Sequence, residues 1–132
     1  MSAILTSESS PTLPAVDEAA LAALEQQLPG VDLSGALATF AEELGNRFAE
    51  LGEKRAAGDD SELASLAHGL KGSAATFCAP ALAAAALHLE QTIASDDDST
   101  TAASIEQLQD EIERATAALR TLLASRAAGQ LP

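Results

Sequence analysis

Leu33, Leu37, Phe40, Leu44, Phe48 and Leu51 recur at spacings of three and four, a stripe that only an α-helix of about five turns presents on one face. A helix that long buries its stripe against other helices or against a sheet, and the composition offers little for a sheet. Three Phe, no Trp and no Tyr leave the interior to Leu, Ile and many Ala, a mixture that favours closely approaching helices. The expected class is all-α.

The rest of the chain supports that reading. Residues Met1 to Pro14 are rich in Ser, Thr and Pro without period and are expected to be a disordered leader or linker. Val16 to Gln27 carries a short amphipathic pattern, with Asp17 and Glu18 suited to its N-terminal end and Pro29-Gly30 stopping it. Asp32 can cap the long helix, which runs to Gly58. Asp59 or Asp60, with Glu62 following, can cap the next helix, expected to run to about Cys78. Pro80 suits a first helical turn, so a break at Cys78-Ala79 precedes a helix striped by Leu82, Ala86, Leu89 and Ile93. Ser95 to Ser99 reads as a polar, acidic loop. Ile105, Leu108, Ile112, Leu119, Leu122 and Leu123 then mark a final helix fading near Ala127. The expected architecture over residues 15–128 is an antiparallel four-helix bundle with an additional short N-terminal helix lying across one end, and residues 129–132 frayed.

One helix carries choices that packing does not explain. Leu63, Leu66, Leu70, Ala74 and Phe77 form its core stripe, and at roughly 100° per residue His68 falls about 150° from the stripe's centre, pointing to solvent. Its neighbours on that side are Ala64, Ser65, Gly72 and Ala75, too short to cover an imidazole, with Lys71 on the flank. Gly69 and Gly72 each cost about 1 kcal/mol relative to Ala inside a helix, with no packing gain visible.

A bare imidazole beside one ammonium suits reversible phosphoryl transfer. An unprotonated ring nitrogen is available near neutral pH because the unperturbed pKa of histidine is about 6.5, and it can attack phosphorus. Lys71, one turn on, supplies a point charge for phosphoryl oxygens, and Gly72 leaves room for an in-line approach. The alternative, a solvated histidine beside a chance Lys and Gly, leaves the complete pattern unaccounted for. Ala64, Ser65, Gly69 and Ala75 are the expected docking surface.

Ala67-His68-Gly69-Leu70-Lys71-Gly72-Ser73-Ala74, followed by Leu82 and Leu89-Glu90, resembles the signature of histidine-containing phosphotransfer (HPt) domains of multistep phosphorelays. The helical layout is compatible over about residues 16 to 127. Cys78 and, less regularly, Ala75 stand where the family often has Gly; neither departure touches His68, Lys71 or Gly72. The resemblance implies that His68 is the phosphoacceptor and that Glu90 orients the imidazole by accepting from Nδ1–H. From the residues alone, Glu90 reads as an ordinary glutamate at the edge of its helix's stripe, which antiparallel packing could bring beside the His68 helix.

The formal charge of −13, with no Lys or Arg before Arg47, argues against nucleic acid and against anionic membrane surfaces. No apolar run approaches the length of a bilayer span. A single Cys78 excludes an intrachain disulfide, and the N-terminus lacks the layout of a signal peptide, so the cytoplasm is the expected location. Cys78 reads as a small buried hydrophobe and His88 as a plain surface histidine. His68, His88 and Cys78 lack metal-ligand spacing, and Asp96-Asp97-Asp98 lacks the regular spacing of a calcium loop, so no metal site is expected.

These readings converge on a monomeric phosphocarrier rather than a self-sufficient enzyme: His68 would shuttle a phosphoryl group between receiver-domain aspartates. The chain shows no Gly-rich phosphate loop. By resemblance it binds no cofactor itself, and Mg²⁺ is expected from the partner receiver, a response regulator or part of a hybrid histidine kinase. Two other readings stand beside this one, a non-catalytic helical adaptor and the phosphoacceptor module of a chemotaxis-type kinase.

Overall fold

A computed structural model describes residues 13–129 of the chain. Apart from Leu13, Pro14 and Gly129, the expected leader and the frayed C-terminus lie outside the described residues. Five helices are present among them, and no strand: α1 Glu18–Gln27, α2 Leu33–Ala57, α3 Asp60–Thr76, α4 Pro80–Ser95 and α5 Asp98–Gly129.

Three aspartates start helices by taking up amides that have no partner within the helix. Asp17 accepts from the Ala20 amide, Asp32 from that of Ser34 and Asp59 from that of Glu62, each at 3.1 Å. Asp59, not Asp60, therefore caps α3.

The ends of α2 and α3 share one device. At the first, the Gly58 amide donates to Arg55 O and the Asp59 amide to Lys54 O; at the second, the Cys78 amide donates to Ala75 O and the Ala79 amide to Ala74 O. Each pair is a Schellman closure, which needs a left-handed residue just past the helix. Gly58 supplies it at φ +66 and Cys78 at φ +59. A Cβ is disfavoured in that conformation, which glycine would adopt without penalty.

The expected loop Ser95 to Ser99 is mostly helix. Ser95 ends α4, Asp98 opens α5, and only Asp96 and Asp97 lie between. The Asp97 carboxylate accepts from the Thr100 amide at 3.2 Å and from its hydroxyl at 2.8 Å, which starts α5 well ahead of Ile105. An acidic run that reads as a solvated turn is, in large part, a helix cap.

In the bundle α2 packs on α3, α3 on α4, α4 on α5 and α5 back on α2. Leu37, Leu44, Leu51, Leu82, Leu89 and Leu108 are fully enclosed, and buried Ala67, Ala74, Ala86 and Ala115 leave the space that lets the helices approach. Phe40 of α2 stacks on Phe77 with ring centroids 4.7 Å apart. Cys78 is half-buried beside this cluster, and burial, with a smaller push from the charge of Asp17, raises its thiol pKa.

The short helix α1 is tied to the end where α3 turns into α4. Leu21 enters the common core, and the Asp17 amide donates to Cys78 O at 2.7 Å. Arg126, near the end of α5, pairs with Glu25 and donates to Ser34 Oγ at 3.2 Å, joining α5, α1 and the start of α2. That guanidinium holds the Glu25 carboxyl below its usual range.

Candidate functional site

Burial of Leu63, Ala67, Leu70 and Ala74 turns the opposite side of α3 outward. There His68 stands with 73% of its side chain exposed. Ser65, Gly69, Gly72 and Ala75 are exposed around it, while Ala64 is partly covered. A Cβ added at Gly69 or at Gly72 would meet nothing within 4 Å, so no close packing requires glycine at either position.

Antiparallel packing of α4 on α3 brings Glu90 beside His68. Its Oε2 lies 3.2 Å from His68 Nδ1 and its Oε1 lies 2.8 Å from Lys71 Nζ, so a single carboxylate joins both. Only 24% of the Glu90 side chain is exposed. Lys71's hydrogen bond, reinforced by that of His68, holds the Glu90 carboxyl below the usual carboxylate range against the opposing push of burial. An ionised carboxylate accepts and cannot donate, so Nδ1 of the neutral ring carries the proton and Nε2 keeps its lone pair. Lys71, read from sequence as a charge on the flank of His68, reaches across to α4.

His88 differs in the group that holds it. Its Nδ1 lies 3.4 Å from Ser104 Oγ. A hydroxyl can donate or accept, so that contact does not select one tautomer.

The family model of the Hpt domain matches residues 35–118, more than half of the chain, and that span contains His68, Lys71, Gly72 and Glu90. The chain belongs to the Hpt domain family. No curated protein and no solved structure gave a significant match. Hpt domains are helical bundles with a phosphotransfer role in phosphorelays, where they interact with receiver domains and kinases. No described helix of this Hpt domain is long and apolar enough to cross a membrane.

Asp60, Asp96 and Asp98 bring carboxylate oxygens within 4.8 Å of one another at the start of α3 and the turn into α5. All three are exposed, and Asp60 and Asp98 open helices whose amide dipoles favour negative charge, which accounts for two of them without an ion.

One feature of the Hpt surface escaped the sequence reading. Arg47 and Glu43 of α2 line a cavity of about 80 Å³ with Gly69, Leu70 and Ser73, so α2 borders the His68 face. The available signal was position: Arg47 follows Leu44 by three residues, at the edge of the stripe.

Proposed function

We propose that His68 accepts a phosphoryl group from the aspartyl phosphate of one receiver domain and passes it to the aspartate of another. The observation that carries this reading is the contact between His68 Nδ1 and Glu90, which directs the lone pair to Nε2 on an exposed ring. The Nε2 lone pair attacks phosphorus, and an N–P bond forms as the P–O bond to the donor carboxylate breaks. The ring then carries positive charge, which Glu90 stabilises through Nδ1–H until that proton is lost. Running the steps backwards delivers the group to the second receiver. Lys71, one turn from His68, is positioned to divide its ammonium between Glu90 and the phosphoryl oxygens.

By the resemblance, Mg²⁺ would be held by the receiver, where it would supply charge neutralisation for the transferring phosphoryl group, while Glu90 stays engaged by Nδ1 and Lys71. Ser65, Gly69 and Ala75, with partly covered Ala64, form the docking surface, since small side chains let a partner approach the ring. A monomer in the cytoplasm fits this role.

Incubation with a phosphorylated receiver, and separately with a kinase catalytic domain plus ATP, tests the proposal. Label taken from the receiver, acid-labile and stable to mild alkali, and lost in His68→Gln, is the expected result. Label from the kinase alone favours the chemotaxis-type module, and no label from either favours the adaptor. Full labelling of a natively helical His68→Gln protein sinks the assignment.

A further inference from the structure

Phosphorylation of His68 leaves its surroundings short of positive charge. Glu90 already engages the ammonium of Lys71, and a phosphoryl group on Nε2 adds a second anion beside that cation, in a chain of formal charge −13. A separate cation borders the same face from α2. Arg47 lines the cavity that also contains Gly69, the residue next to His68. Between that cavity and His68 the outer surface of α3 carries Ser65, Gly69 and Gly72, all exposed, and the space where a Gly69 side chain would stand is open to 4 Å.

Arg47 is paired with Glu50 on its own helix, and the two side chains are 42% and 37% exposed. Such a pair contributes little to stability and gives way readily to a stronger acceptor. A phosphoryl group is one, because the guanidinium fork matches two of its oxygens at once. Glu43 and Glu50 stand on the same edge of α2 and would repel a bare phosphoryl group, which makes the position of Arg47 between them along the helix the one that matters.

Resting on the phosphoacceptor reading above, we infer that Arg47 is the second phosphate-binding cation of the site, leaving Glu50 and reaching across Gly69 to the phosphoryl group carried by His68. Gly69 then has a role of its own: it keeps that path clear.

The test needs no receiver. The full chain is labelled with phosphoramidate, which gives up its phosphoryl group and releases ammonia, and the phosphohistidine is titrated by ³¹P NMR. In Arg47→Gln the phosphoryl pKa should rise by roughly 0.5 unit, the size expected of one solvent-exposed charge pair, and the difference should shrink at high salt. Gly69→Leu, which blocks the path while retaining Arg47, should reproduce the rise. Arg114→Gln removes the same charge from an i,i+3 pair with Glu111 on α5 and should titrate as wild type. An Arg47→Gln protein that titrates with Arg114→Gln and wild type overturns the inference, as does a Gly69→Leu protein that titrates as wild type. Labelling that persists in His68→Gln overturns the phosphoacceptor reading and this inference with it, whereas labelling confined to His68 keeps the two separable.

Discussion

The ammonium of Lys71 lies 2.8 Å from Oε1 of Glu90, so the cation nearest in sequence to His68 is bound to the residue that holds His68. Lys71→Ala frees Glu90 and, on the proposed phosphoacceptor reading, also removes a charge from the phosphoryl group. Folding stability should fall by about 1–3 kcal/mol, because Glu90 Oε1 is buried and Lys71 is its partner. Single-turnover transfer at saturating receiver should slow, and Lys71→Arg should compensate only in part, because a planar fork replaces a compact charge. If rate and phosphohistidine lifetime both match wild type, Lys71 has no chemical part.

Glu90→Gln retains an oxygen that can accept from Nδ1–H and removes the charge. Loss of a charge-assisted hydrogen bond is worth about 1.5–3 kcal/mol, so labelling of His68 by a phosphorylated receiver should slow by roughly ten- to a hundredfold. Labelling at the native rate would show that orientation of the ring does not depend on the carboxylate.

The same residue sets an expectation for acid. The Glu90 carboxyl is depressed in the folded protein, so its stabilising contribution is present above its unfolded value of about 4.3 and is lost as pH falls through the lower, folded value. Glu25 and Asp97 are depressed as well and act in the same direction. Melting temperature should fall less steeply with acid below about pH 4.3 in Glu90→Gln than in wild type. Parallel curves would mean that Glu90 titrates alike in the folded and unfolded chains.

Gly72 has open space where a Cβ would go and a φ in the ordinary helical range. Gly72→Ala should leave stability unchanged or raise it by up to about 1 kcal/mol. Gly72→Gln should slow transfer by crowding the approach to His68. A Gln variant that transfers at the native rate would give the bare surface another cause.

Cys78 occupies a left-handed position that Gly accepts without penalty. Cys78→Gly should stabilise the bundle by up to about 1 kcal/mol, read as a higher urea midpoint at constant slope, whereas Cys78→Ala, which keeps the Cβ, should not. Equal midpoints for the two variants would locate the effect in the thiol instead of the backbone.

The helices were legible because each buries a stripe of period near 3.6, and their starts because Asp17, Asp32 and Asp59 have one local task. Asp97 was misread because an aspartate in a run of three looks the same whether it caps a helix or faces water. The meeting of His68 with Glu90 depends on the register of α3 against α4, which periodicity within either helix leaves open; there the family resemblance supplied what spacing could not. Lys71 and Arg47 were harder still, since the direction a long side chain takes is decided by neighbours from other helices.

His68, Lys71 and Glu90 all come from one αα-hairpin, α3 and α4, closed by the short turn around Cys78. The contacts that fasten α1 instead span the chain, with Arg126 and Glu25 separated by 101 positions. Short-range contacts close early in folding and long-range ones close late. The proposed reactive geometry is therefore assembled from neighbouring sequence, and it can persist through openings that release the N-terminal helix from the bundle.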